Sequence, residues 1–189
     1  MDSLPVIAYP ELKERLSDIP TTEEFLKARA LFSTVYASLG RVGEIVRGRY
    51  KKTPSIKKRD IVVNPNGVHV DFHIRTEKVN IDRTVAVNRD LEPWLINPIL
   101  QHSMGFDPDE ELFPYSTRWA EKRFQKFFPE YGQHIHLMRK WRATHLLQGH
   151  GTRQRLTINE VARMGGWTKL DALNRAYNYT VIEDYREMI

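Results

Sequence analysis

The stretch Ile61-Val62-Val63-Asn64-Pro65-Asn66-Gly67-Val68-His69-Val70-Asp71-Phe72-His73-Ile74-Arg75 decides the fold class. Val68, Val70, Phe72 and Ile74 alternate with His69, Asp71, His73 and Arg75, a period of two that gives a strand one apolar face. Asn64-Pro65-Asn66-Gly67 is a turn signal separating this strand from the apolar run Ile61-Val62-Val63. A second turn, around Glu77 to Asp82, leads to Val85 and Val87 in a third strand. The reading is a small antiparallel sheet. On both sides of it the apolar period becomes helical. Thr21 and Glu24 have capping-box spacing, and Phe25, Ala28, Phe32, Val35 and Leu39 recur at helical intervals. Gly40 is expected to end that helix, with another starting near Val42. After Arg89, helices are expected over 91–102, 116–128, 136–148, 157–164 and 169–177, and the tail 180–189 has room for one more. Residues 1–20, with Pro5, Pro10 and Pro20, read as a lead-in holding one short helix. The expectation is an α+β domain, mainly helical, with a three-stranded antiparallel sheet on one edge.

A chain of 189 residues is one domain by default. It contains no cysteine, which excludes disulfides, thiolate zinc sites and cysteine nucleophiles. The first residues carry acids early and no long apolar run, unlike a signal peptide. No stretch approaches the roughly 20 apolar residues of a membrane span, so the expectation is a soluble intracellular protein with no membrane partner. The net charge of +5 is a weak pointer to a polyanion. Its distribution says more. Residues 45–59 hold Arg47, Arg49, Lys51, Lys52, Lys57, Lys58 and Arg59 and no acid. Residues 131–159 are also acid-free and carry Arg139, Lys140, Arg142, Arg153 and Arg155. Two such runs on one face would track phosphates; taken singly, each is equally well a solvated helix face.

Three separated motifs carry chemistry: Gly40-Arg41-Val42-Gly43-Glu44-Ile45, His136-Leu137-Met138-Arg139 followed by Ala143-Thr144-His145-Leu146-Leu147, and Gly165-Gly166-Trp167 with Tyr177 ten residues on. Each residue alone has an ordinary role: Arg41 at a helix end, His136 on a surface, Trp167 as a core anchor, Lys78 in a turn, Tyr177 in helix packing. Together and in this order they resemble the tyrosine recombinase (phage integrase) family over residues 20–180, with Trp167 where many members have His and with the Gly-Trp form of archaeal and viral integrases.

The resemblance implies the family's catalytic-domain fold and a set of roles. Arg41 and Arg139 would clamp a DNA phosphate, Lys78 in the turn between the second and third strands would act as general acid, His136 would hold or relay a proton, and Trp167 would support the pocket. Tyr177 would be the nucleophile, with Tyr179 still open. Glu44 reads as structural. The physical logic is independent of the name. A phenol can attack phosphorus and store the bond as a 3′-phosphotyrosine, which permits rejoining without ATP, while arginine forks neutralise the phosphate. No metal or cofactor is required. The resemblance further implies double-stranded DNA with attachment sites as partner, a homo-tetramer on DNA with a monomer or weak dimer when free, a cytoplasmic, nucleoid-associated location (in a host cell if viral or plasmid-encoded), and roles in integration, excision or resolution. Residues 21–180 would form the catalytic domain and 181–189 a tail docking in cis or in trans. The family's usual N-terminal core-binding domain has no counterpart in these residues, so either an excised catalytic domain or a short member is expected. Type IB topoisomerase-like relaxation, non-catalytic DNA binding on the same scaffold, and a metal hydrolase using His134 and His136 are the competing readings.

Overall fold

The inward-facing residues of the expected sheet are buried. In the computed structural model, which describes residues 6–47, 55–76 and 82–168, β1 (Ile61–Val63), β2 (His69–Ile74) and β3 (Arg83–Asn88) form an antiparallel sheet in that order. Val70 pairs with Val87 and Phe72 with Val85, so the period of two places both pairs on the core side. The Asn64–Gly67 turn is held by the Gly67 N–H donating to the Asn64 carbonyl at 2.8 Å, while the Asn66 side chain accepts from the N–H groups of Val68 and His69. Gly67 has φ +70°, open to glycine without strain.

The helices are α1 (Tyr9–Asp18), α2 (Glu23–Ala37), α3 (Val42–Ile45), α4 (Pro93–Ser103), α5 (Thr117–Phe127), α6 (Leu137–Leu147) and α7 (Ile158–Gly165), the last packed on β3. Helix α2 is the hub, touching α1, α3, α4, α5 and α6. Its residues Ala30 to Ala37 are buried on every side, as expected of a helix enclosed by neighbours. Fully burying Leu31, Phe32 and Val35 contributes about 1.5–3 kcal/mol each. The short helix of the lead-in, α1, buries Leu12 and Leu16 in the same core.

Two local expectations are corrected. The start of α2 forms no capping box: Thr22, not Thr21, is the N-cap, and it makes no side-chain cap bond. The end of α2 is not a glycine in the left-handed region. Leu39 takes that conformation, with φ +50°. Leu39 N–H donates to the Tyr36 carbonyl and Gly40 N–H to the Val35 carbonyl, the Schellman pair of bonds, with leucine at the position glycine usually fills. Gly40 is required for a different reason. A Cβ there would lie 2.8 Å from Ser38 Oγ and 2.9 Å from the Ile45 side chain. The expected helix over 169–177, the tail, Lys78, Tyr177 and Tyr179 lie outside the described residues.

Candidate active site

Arg41 and Arg139 come together around one carboxylate, Glu44, and Trp167 lies against Arg139. Arg41 is the N-cap residue of α3 and Glu44 its third residue, so a spacing of three brings the acid back over the helix start. Glu44 accepts the Arg41 backbone N–H at 2.9 Å and its Nη1 at 2.8 Å. The carboxylate is almost completely buried while the Arg41 side chain remains 43% exposed. Arg41 is thus anchored at one end and available to solvent at the other.

Arg139, in the first turn of α6, is buried. Its Nη1 donates to the Leu39 carbonyl at 2.8 Å and its Nη2 to the Gly165 carbonyl at 2.7 Å, with Glu44 4.0 Å away. The guanidinium lies 4.0 Å from the centroid of the Trp167 ring. Among the described residues, two of its five N–H donors are committed to these carbonyls. Burial, and then the neighbouring charges of Arg41 and Arg83, push Arg139 down to about 9, with Glu44 opposing. It is protonated at neutral pH.

The Gly165-Gly166-Trp167 motif has a local cause. Helix α7 opens on a capping box between Thr157 and Glu160 and closes on a second Schellman pair: Gly166 N–H to the Arg163 carbonyl and Trp167 N–H to the Ala162 carbonyl. Gly166 supplies the left-handed residue at φ +68°. Gly165 lets the chain fold back under the indole, since a Cβ there would lie 1.8 Å from the Trp167 ring. These two glycines place the Trp167 face on Arg139, a cation–π contact of about 2 kcal/mol when desolvated.

His136 is the N-cap residue of α6, one turn before Arg139, and is exposed. Its described neighbours are His134, edge-on at 5.4 Å, Glu121 and Lys140. Burial, then His134, lower its pKa, so the ring is neutral at pH 7. Among the described residues no group of three His, Asp or Glu is gathered to hold a metal.

Arg83, absent from the sequence reading, is the third guanidinium. It takes the first inward slot of β3, in phase with Val85 and Val87. Its Nη2 donates to Glu44 Oε2 at 2.8 Å and to the Leu39 carbonyl at 3.3 Å. Its phase with the two valines was the available signal. Burial on its own would raise the Glu44 pKa, but hydrogen bonds from Arg83 and Arg41 outweigh it and hold the carboxyl low and ionised. The described cluster therefore carries three positive groups on one negative group.

Several cations of the two acid-free runs have acidic partners. In the first, Arg47 is bonded to Glu111, and Lys57 and Arg59 both pair with Asp109. In the second, Arg142 is buried and forked onto Glu92. Four cations that stand without acids along the chain, Arg47, Lys57, Arg59 and Arg142, are thus paired with acids remote in sequence. Around Glu44, by contrast, three guanidinium groups share one carboxylate.

The sequence matches no family model, and no curated protein matches it. Solved structures resemble it. The site-specific recombinase XerH bound to difH substrate in a pre-cleavage complex is 18% identical with a TM-score of 0.64, over 97% of this chain and 53% of that one. XerA recombinase is 16% identical with a TM-score of 0.62, over 100% and 66%. The Tn1549 transposon integrase in complex with transposon right-end DNA is 12% identical with a TM-score of 0.58, over 99% and 66%. The fold is that of the tyrosine recombinase catalytic domain. The chain spans about half the length of the XerH chain and about two thirds of the other two. Among the described residues no helix is long and apolar enough to cross a membrane.

Proposed function

We propose that this chain is the catalytic domain of a site-specific DNA recombinase or integrase that cuts and rejoins strands through a 3′-phosphotyrosine, without metal or ATP. The observation that carries the reading is the convergence of Arg41, Arg83 and Arg139 on the single carboxylate Glu44, with Trp167 laid on Arg139. Such an excess of fixed guanidinium charge is suited to a phosphodiester, whose non-bridging oxygens gain charge as phosphorus becomes pentacoordinate.

In this reading Arg41 and Arg139 bind the non-bridging oxygens. The Tyr177 phenol loses its proton, with His136 as the relay, and its oxygen attacks phosphorus. The bond from phosphorus to the 5′-oxygen breaks, and Lys78 protonates that oxygen as it leaves. Attack by a 5′-hydroxyl on the phosphotyrosine reverses the sequence and reseals the strand, so bond energy is conserved. Trp167 orders Arg139 and closes the pocket. Residues 21–180 constitute the catalytic unit, 1–20 the lead-in and 181–189 a tail that docks in cis or in trans. The partner is double-stranded DNA carrying attachment sites. Two duplexes are exchanged by a homo-tetramer assembled on DNA.

The test is a nicked duplex carrying candidate attachment sites, which traps any covalent adduct for mapping by mass spectrometry. The expected result is one phosphotyrosine at Tyr177, abolished in Tyr177→Phe. Adducts that persist in Tyr177→Phe and vanish in Tyr179→Phe move the nucleophile by two residues. No adduct on any substrate refutes the recombinase reading.

A further inference from the structure

We infer that Arg83 is a positioning residue of the phosphate clamp, fixing Glu44 and lending the pocket a charge that Glu44 does not cancel. The inference rests on the recombinase reading. Three observations lead to it.

First, Arg83 is placed to act through Glu44. The same oxygen, Oε2, accepts from Arg83 Nη2 and from the Arg41 backbone N–H, while Oε1 holds the Arg41 side chain. Loss of Arg83 would leave Glu44 hydrogen-bonded, among the described residues, by Arg41 alone and uncompensated on its inner side, with more of its negative charge felt by a bound phosphate. Second, Arg83 and Arg139 share the Leu39 carbonyl. That carbonyl belongs to a leucine in the left-handed region, a conformation that a side chain disfavours. The strained residue therefore presents one acceptor to both guanidinium groups. Third, Arg83 is not fully satisfied. Its side chain is 6% exposed, yet Nε and Nη1 have no partner among the described residues. Gly166 passes within 3.3 to 3.8 Å of Arg83 Cδ, Nη1 and Nε, measured from where a Cβ would sit. A buried guanidinium with two idle donors is expensive as a purely structural element. Beneath an anion pocket it is consistent with raising the local positive potential where water cannot screen it. Because both idle nitrogens are inaccessible to solvent, Arg83 acts from below the pocket and makes no DNA contact.

The experiment compares wild type, Arg83→Gln and Arg83→Lys in single-turnover cleavage of the nicked duplex, alongside duplex affinity and a matched substrate whose scissile phosphate is a neutral methylphosphonate. Arg83→Gln should slow cleavage about 100-fold while duplex affinity moves less than about threefold. Arg83→Lys, which keeps the charge but not the planar guanidinium that sets Nη2 between Glu44 and the Leu39 carbonyl, should lose about tenfold. On the methylphosphonate, which places less negative charge on the transition state, the Arg83→Gln deficit should shrink to under about tenfold.

An unchanged deficit on the neutral substrate, or an affinity loss as large as the rate loss, overturns the inference and leaves a structural or DNA-contact role. If the glutamine variant does not fold, the lysine variant is decisive: cleavage equal to wild type overturns the proposal. Wild type that never cleaves overturns the recombinase reading and this role with it. Wild type that cleaves beside unaffected Arg83 variants overturns this role alone.

Discussion

Two buried carboxylates organise arginines in this protein, and they do so in opposite ways. Glu92, at the start of α4, receives Arg142 through two parallel bonds of 2.7 Å, one guanidinium to one carboxylate, with both side chains at 2% exposure or less. Tyr9 adds its hydroxyl at 2.9 Å. Burial opposes the Arg142 charge, but Glu92 more than compensates and raises its pKa. Glu44 receives three guanidinium groups and balances only one. The first site is balanced in charge, with Arg142 Nε left without a partner among the described residues, and ties α1, α4 and α6 together. The second is left with excess charge at a place where Arg41 still reaches solvent. Burial of arginine is therefore no index of role here; the ratio of cations to anions separates a structural pair from a candidate anion site.

Breaking the balanced site should have the largest effect. Glu92→Gln leaves Arg142 buried without its counter-charge, and the expected loss is about 3–5 kcal/mol of unfolding free energy by denaturant titration. A loss below about 1 kcal/mol would remove the contrast between the two sites. Arg139→Ala tests the other side. Glu44 keeps Arg41 and Arg83, so the main effect should fall on cleavage, with about 2.7–4 kcal/mol added to the barrier and a smaller change in stability. If stability falls as far as in Glu92→Gln while the cleavage rate of folded protein holds, the Glu44 cluster is structural after all.

The smallest of the three effects concerns His145, beside the balanced site. Its Nε2–H donates to the Ile7 carbonyl at 2.8 Å, leaving Nδ1 to accept from the Tyr36 hydroxyl at 2.7 Å. Burial pushes this histidine down to about 4, with Arg142 contributing and the Ile7 carbonyl opposing. The unfolded chain therefore binds a proton between about pH 6.5 and pH 4 that the folded chain refuses. The stability conferred by the neutral ring is complete above pH 6.5 and declines as pH falls through that window, by about 3 kcal/mol in all. His145→Gln should lack this component. An equal slope in both proteins would mean that acid sensitivity arises elsewhere.

The strands were legible because a sheet with one wet face writes its orientation into alternate residues, as Val70, Phe72, Val85 and Val87 do. Gly165-Gly166-Trp167 was legible as a motif, and its geometry supplies the reason: one glycine for the left-handed turn, one for the indole above it. What stayed hidden depends on partners distant in sequence. The acid-free run containing Arg47, Lys57 and Arg59 gave no sign of Asp109 and Glu111, which approach only when the chain folds. Arg83 was passed over because an arginine opening a strand is usually solvated, whereas here its phase with Val85 and Val87 turns it inward. Leu39 was missed because glycine is the expected left-handed residue and Gly40 stood next to it. The leucine's buried contacts in the cluster with Ala143, Leu146, Val161 and Ala162 help offset the strain.

Arg139 is moored to the carbonyls of Leu39 and Gly165, main-chain atoms that no substitution deletes. Neighbouring side chains can drift through many identities without removing either acceptor, provided the backbone path survives. The heritable constraint on this part of the molecule is therefore one of shape, carried by a turn at residue 39 and a fold-back at residue 165, more than one of chemical type. A guanidinium held in this way can outlast most of the sequence around it.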